Sequence, residues 1–439
     1  MLKTTAADRR IWKIAGPSIA ANCSAALIGL VDTWAIGHLP DPALLAAVGL
    51  GAFLTNFVYW MCGFLRMGTT GQVARAHGRE DAEAIARLVL RALIVGLVLG
   101  VAIVAARYGL IALGLAFFDP PAGLAEPVTS YTQLRLIAVP AVLAKLAVLG
   151  LLIGTARAGL ALALEVTANL VNAGLTVLFV VGLGLGIDGA ALGSVAAEVL
   201  AAGLAVGLAW RILGRQQVLR AARHADLRRL RTLLASLGDD ALLILRTLCL
   251  LAGFALFWRL SAQLGATAAA VTQVLMQFVQ LAALALDGIA YAAEAEIGRS
   301  VGRADRGLYR QMLGRTTGWS LAFAAATSAL FCLFGAAIVA FFTEHEAVRQ
   351  AAQPVLPWAA AMPMIAVWSY QFDGVFIGLG AYGAMVASMA LAFTVFGLAS
   401  LAVGSAAGLW AAFALFMAAR GLSQAALLPW LGRRRFGTA

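Results

Sequence analysis

Asp32 stands in "GLVDTWAIGHLPDP", near the end of a long apolar run, with no Lys or Arg beside it. A carboxylate inside a bilayer costs about 2.5–3.5 kcal/mol or more, so such a residue needs a chemical reason. Partial burial pushes a carboxyl group from a pKa of about 4 toward neutrality. A group titrating there can take a proton on one face of a membrane and release it on the other. The competing reading is an acid at a loop edge that reaches water.

Two further stripes have spacing that matters. Glu165, Asn169, Asn172 and Thr176 follow one another at steps of four, three and four, which puts them on one face of a helix. In lipid, a polar face must meet protein or water. It is either glue between helices or a cavity wall that supplies hydrogen bonds to Asp32. In the second half, Gln273, Gln277 and Gln280 are followed at intervals of fourteen by Asp287, Tyr291 and Glu294, on about the same helical face. Asp373 follows Trp368 and Tyr370 in another apolar run. Carboxylates beside aromatic faces can hold an organic cation by Coulomb and cation–π attraction; the alternative is hydrogen bonding between helices. Arg246 is a candidate partner for one of these acids, and Lys145 for Glu165 or Glu198. Glu294 and Glu296 are expected to pair with the arginines of the loop that follows them.

These residues need elements to hold them, and composition sets the solvent. The chain has 439 residues, 62% hydrophobic and 12% charged, about half the charged fraction of a soluble domain. Apolar runs long enough to span a bilayer recur throughout. About twelve spans are predicted, roughly at 14–37, 43–73, 86–113, 128–156, 160–184, 187–214, 236–263, 267–297, 309–342, 347–378, 380–404 and 406–432. The net charge of +11 calls for no nucleic-acid partner. Its strongly basic segments all fall on one side of a twelve-span arrangement, which places both termini in the cytoplasm. The first apolar run is too long for a signal-peptide core and is expected to remain as a helix. Cys23, Cys62, Cys249 and Cys332 lie far apart in apolar runs, without ligand spacing, and read as small buried hydrophobes. The histidines are His38, His77, His224 and His345. No HExxH or GxSxG occurs, nor the paired-Asp motif of a prenyl-transfer site, so no enzyme and no metal site or cofactor is predicted.

The basic segment "RILGRQQVLRAARHADLRRLRTL" divides the chain. The expected organisation is an N-terminal lobe at 1–215, a cytoplasmic linker at 216–235 and a C-terminal lobe at 236–439. The halves share a register: Gly78 meets Gly302, Asp81 meets Asp305, Arg91 meets Arg315, and at the same offset Gly154 meets Gly378. Six spans per half give parallel repeats about an axis along the membrane normal. Two matched lobes around a central cavity suit a transporter.

The strings "VDTWAIGHL", "FLRMGTTGQVARAHG", "LRTLCL", "LALDGIAYAAEAEIGRSVGRAD" and "QFDGVFIG" resemble the multidrug and toxic compound extrusion (MATE) family, in its DinF-type branch. The resemblance implies an all-α membrane protein of two six-helix lobes, V-shaped around its cavity. It also implies export of organic cations or amphipathic drugs against inward protons or sodium. The family's first-helix aspartate falls on Asp32 and is held to be the proton site in many members. Members often carry Asn and then Asp four residues on in the fifth helix; here Asn172 is followed by Thr176, which leaves Asp32 as the main acid in the outer half of that lobe. Proton coupling is therefore assigned to Asp32, Asn172, Thr176, Asn169 and Glu165. The substrate cavity is assigned to Gln273, Gln277, Gln280, Asp287, Tyr291, Asp373, Tyr370 and Trp368. In the NorM-type branch, acids on the seventh and tenth helices are linked to sodium. Here Asp239 and Asp240 sit only at the cytoplasmic start of the seventh span, and Asp373 alone is a thin oxygen cage. The reading is protons rather than sodium, in a monomer of the bacterial cytoplasmic membrane. The alternatives are a sodium-coupled antiporter and a flippase of lipid-linked precursors.

Overall fold

The computed structural model describes residues 5–37, 42–121, 123–224 and 230–437, with the side chains of 26–37, 42–43 and 230–237 outside the description. The described residues are overwhelmingly α-helical and include no strand. In the first half these are α1 (Ala6–Gly37), α2 (Pro42–Met61), α3 (Phe64–Gly78), α4 (Ala82–Phe118), α5 (Ala125–Ile137), α6 (Val139–Gly154), α7 (Ala158–Val177), α8 (Gly186–Leu213) and α9 (Arg215–Arg223). A π-helical turn, Leu178–Gly182, follows α7. The second half holds α10 (Leu230–Gln263), α11 (Ala266–Gly302), α12 (Arg306–Phe342), α13 (Glu346–Ala352), α14 (Leu356–Leu379), α15 (Tyr382–Ser400) and α16 (Ala406–Phe436).

Each predicted span finds a helix or a broken pair. Among the described residues, nine spans are long and apolar enough to cross a membrane, and ten if α5 and α6 count as one. That pair bends by 46°. The cause is local: Pro140 has no N–H to donate back to the preceding turn, and Ala138 N–H closes a tight turn on Arg135 O (3.2 Å). The 43–73 span breaks at Cys62 and Gly63 between α2 and α3. Cys62 is buried, Cys249 half-buried, and Cys23 and Cys332 exposed. The expectation of buried thiols thus holds for Cys62 and not for the two exposed ones.

The chain forms two compact units. One comprises Ala20–Leu237; the other joins Gly238–Ala439 with Met1–Ile19. The beginning of α1 packs with Gly238–Ala439. The side chains give the reason. Asp8 accepts hydrogen bonds from Trp319 Nε1 (2.9 Å) and from Thr5 N (2.8 Å), and Arg315 lies 3.5 Å away. Arg10 pairs with Glu296. The rings of Trp12 and Trp319 meet edge to face at 5.2 Å. Ile19 presses on Gly288, where an added Cβ would stand 2.9 Å from Ile19 N. Glu296 therefore finds its partner on α1, not in the loop after its own helix.

Within each unit the same helices pack in the same way. The α3–α6 and α4–α6 contacts of the first unit correspond to the α11–α14 and α12–α14 contacts of the second. The shared register extends to backbone detail. Asp81 caps α4 by accepting from Ala84 N (2.8 Å), and Asp305 caps α12 by accepting from Leu308 N (2.8 Å). The residues just before them, Glu80 (φ 60°) and Ala304 (φ 53°), are both left-handed. Both α3 and α11 are closed by the same bond five residues back, Asp81 N to Ala76 O (3.1 Å) and Asp305 N to Ser300 O (3.0 Å). Gly154 and Gly378 are required by close approach. A Cβ on Gly154 would meet Thr70 O at 2.8 Å, and one on Gly378 would meet Glu294 O at 2.9 Å. Thr70 and Glu294 are themselves equivalent in the repeat. The cores differ in character: aliphatic side chains such as Val73, Val148 and Leu152 fill the first. Aromatics fill the second, with Phe257 and Phe413 centroids 4.5 Å apart.

Candidate functional site

In the first unit the site is built on α7. Glu165, Asn169, Asn172 and Thr176 each turn to a different neighbour. Glu165 lies 3.6 Å from Lys145 Nζ on α6, and the same ammonium is 2.9 Å from Glu198 on α8. Lys145 thus serves both acids that the sequence offered as alternatives. Asn169 Nδ2 donates to Ser24 Oγ on α1 (3.0 Å), and Ser24 Oγ donates to Ala21 O (2.8 Å). Asn172 Nδ2 donates to Ser194 Oγ on α8 (2.9 Å). The polar face of α7 therefore addresses α1 and α8 together.

The C-terminal end of this face has polar atoms to spare. Asn172 Oδ1 and Thr176 Oγ1 are buried and have no hydrogen-bond partner among the described residues. A buried unsatisfied polar atom costs about 1–3 kcal/mol, so each marks a place where water or an incoming group can bond. Thr176 is fully buried, because α8 presses on it: a Cβ on Gly193 would stand 2.9 Å from Thr176 N. The π-helical turn begins two residues further on, and such turns are frequent at functional sites. Asp32 belongs to the helical backbone of α1, but its side chain lies outside the described residues.

In the second unit the charged centre is Asp373 on α14. It accepts from Arg246 of α10 and Arg420 of α16, and Gln424 Nε2 donates to its other oxygen (2.7 Å). Three helices thus converge on one carboxylate. Arg246 is 4% exposed and Arg420 3%, and both guanidiniums draw on this acid for charge balance. Asp287 is near enough to act electrostatically on Arg246 and on Tyr370. The structure therefore gathers Asp287, Tyr370 and Asp373 around Arg246. Gln280, Gln277 and Gln273 continue along α11, exposed, half-buried and exposed, and Tyr291 is half-buried. At 1.5 Å per residue they extend roughly 10–20 Å from Asp287. Trp368 packs beside Phe372 at 5.8 Å. Neighbouring Gln371 is tied into α12, accepting from Ser320 Oγ (2.9 Å) and donating to Thr316 Oγ1 (2.7 Å).

Arg420 and Gln424 escaped the sequence reading. The signal was present, since Arg420 interrupts the apolar run "AAFALFMAARGLSQAALL", and an ionisable residue in such a run marks itself for attention. Asp8 was missed as well. It lies before the first apolar run. Hydrogen bonds from the Thr5 backbone N–H, the Thr5 hydroxyl and Trp319, with the Arg315 charge, hold its carboxyl down at about 2.

A duplicated helical bundle, with ionisable side chains buried inside each copy, defines a polytopic membrane protein of the repeat-built kind. The chain belongs to the MatE family, whose model matches it twice, at residues 17–178 and 243–404. It is 35% identical to DNA damage-inducible protein F of Escherichia coli over 99% of this chain and 94% of that protein. It is 26% identical to the probable multidrug resistance protein NorM of Pseudomonas aeruginosa, over 83% of this chain and 75% of that one. Its fold is similar to that of an outward-facing multidrug resistance MATE family transporter. The TM-score is 0.84 at 18% identity, covering 98% of this chain and 95% of the other.

Proposed function

We propose that this chain is a secondary active exporter that exchanges organic cations or amphipathic drugs for protons, by alternating access of two six-helix lobes. The reading includes the bacterial cytoplasmic membrane, a monomer, both termini in the cytoplasm and no cofactor. Family membership and the multidrug-resistance name of the Pseudomonas relative support export of drugs. One observation carries proton coupling. The α7 face bonds to α1 at Ser24 and keeps Asn172 Oδ1 and Thr176 Oγ1 buried, with no hydrogen-bond partner among the described residues. A protonated carboxyl on α1 would find an acceptor in Asn172 Oδ1, which the ionised form would not. Asp32 is the acid we assign to that role. Its protonation from outside rearranges α1 near Pro17 or Gly29 and favours outward release of the drug, and inward deprotonation resets the cycle.

The engagement of Asp373 argues against sodium in the second unit. Its oxygens already accept from two guanidiniums and an amide, and sodium needs several oxygen ligands. In the same unit we assign drug contact to Gln273, Gln277, Gln280, Asp287, Tyr291, Tyr370 and Trp368, with Asp373 fixing the helices that carry them.

The test is export of an organic cation from proteoliposomes under an imposed pH gradient or an imposed sodium gradient. The pH gradient is expected to drive export, and Asp32→Asn to abolish it. Proton-driven export at wild-type rate in Asp32→Asn would refute the mechanism. Movement of a lipid-linked sugar instead of the cation would favour the flippase.

A further inference from the structure

The nine-residue helix α9 (Arg215–Arg223) follows α8 directly and takes no part in the exchange described above. We infer that its outward face docks on the anionic phospholipid headgroups of the membrane that the chain spans. Arg215, Arg220 and Arg223 would bind the phosphates, and Leu219 would anchor the helix among the acyl chains. The inference needs a membrane-spanning chain and is independent of the coupling ion and of the cargo.

The helix has one occupied face and one open face. Val218 and Ala221 are buried, and α9 packs on α4 and α8. On the other side Arg215, Leu219 and Arg223 form a stripe at steps of four, with Gln216 and Arg220 beside it. All five are exposed. Leu219, 43% exposed, is an apolar side chain held open among three guanidiniums. Arg215, Arg220 and Arg223 make no ion pair within 4 Å among the described residues. Of the acids at the start of α4, Asp81 spends its carboxylate on Ala84 N (2.8 Å), and Glu83 is exposed. Arg87 of α4 meets His224 at the end of α9, with Nη1 2.9 Å from Nε2. The open face therefore carries three cations that this chain does not neutralise.

Position decides what neutralises them. The helix α8 (Gly186–Leu213) is long and apolar enough to cross a membrane, and only Gly214 separates it from α9. Gly214 turns the chain there with φ 76° and ψ 145°, a left-handed φ that glycine adopts without a Cβ clash. The last turn of α8 carries Trp210, 48% exposed, and an exposed Arg211. Tryptophans of this kind sit at headgroup level. An amphipathic helix with arginines around an apolar residue lies in the plane of the interface, held by its apolar side chain and by attraction to anionic lipid. Headgroups are within reach of α9 at all times, whereas a soluble acidic partner would have to displace them.

The test is hydrogen–deuterium exchange of the full chain, read by mass spectrometry in nanodiscs of phosphatidylcholine, with and without phosphatidylglycerol. The amides of 215–223 are expected to exchange more slowly beside the anionic lipid, with about fivefold from each arginine. Those of α13, whose Arg349 is already engaged by Thr343 O (2.8 Å), are expected not to change. High salt screens the headgroups and should remove the difference. The combined variant Arg215→Gln, Arg220→Gln, Arg223→Gln should lose it too, while exchanging as the wild type does in neutral lipid. Leu219→Gln keeps all three charges; it should show a smaller slowing that salt still abolishes. Equal exchange of 215–223 in the two lipids, or slowing that survives the triple substitution, overturns the inference. So does equal slowing by inorganic phosphate in neutral discs, which would make this a site for a free anion. Exchange is blind to coupling, so failure of proton-driven export would leave this inference standing.

Discussion

Replacing Asp373 by asparagine keeps the shape of the side chain and removes its charge. Arg246 and Arg420, 4% and 3% exposed, would then face each other across a neutral amide. Removing one partner of a buried ionic cluster typically costs about 3–5 kcal/mol, since a charge is left uncompensated. Asp287 acts on Arg246 and offsets part of this, which puts the expected loss near the lower bound, about 3 kcal/mol. For a unit of this size each kcal/mol moves the unfolding midpoint by roughly 2–4 °C, so the midpoint should fall by about 6–12 °C. The assay is thermal unfolding of the whole chain in detergent. The double variant Asp373→Asn with Arg420→Gln should recover part of the loss, because it withdraws one of the two orphaned charges. If Asp373→Asn unfolds at the wild-type midpoint and only weakens binding of an organic cation, Asp373 is a free ligand in the cavity and our account of it fails.

Asp8 links stability to pH. Its folded carboxyl sits at about 2, below the ordinary aspartate value of 3.8, so its contribution is fully present above about 4 and is lost as pH falls toward 2. Asp8→Asn should lower the unfolding midpoint at neutral pH and flatten the decline on the acid side, with the two proteins converging near pH 2; parallel acid limbs would contradict this. Gly154→Ala and Gly378→Ala each drive a Cβ against a backbone carbonyl, at Thr70 and Glu294. Each should cost about 1–3 kcal/mol. Gly159→Ala, with nothing within 4 Å, should be neutral or slightly stabilising in the same thermal assay.

Much of the fold was legible because it follows from local forces. An apolar run longer than the hydrocarbon core becomes a helix in lipid wherever it falls, since its backbone polar groups have no other partner. The caps at Asp81 and Asp305 depend on N–H groups three residues away, so the repeat they announced in the sequence reappears in backbone geometry. The α7 stripe was equally local: spacing alone put Glu165, Asn169, Asn172 and Thr176 on one face.

Partners were another matter. Arg246 lies 127 residues from Asp373, and Arg420 lies 47 away. Lys145 reaches two acids on two helices, and the opening turns of α1 side with the C-terminal unit through Asp8, Arg10 and Trp12. These pairings depend on how each helix is rotated against its neighbours. That rotation is set by packing across the bundle, at close approaches such as Gly154 on Thr70 and Gly193 on Thr176. Periodicity along one helix states which residues share a face; only the packed bundle decides what that face meets.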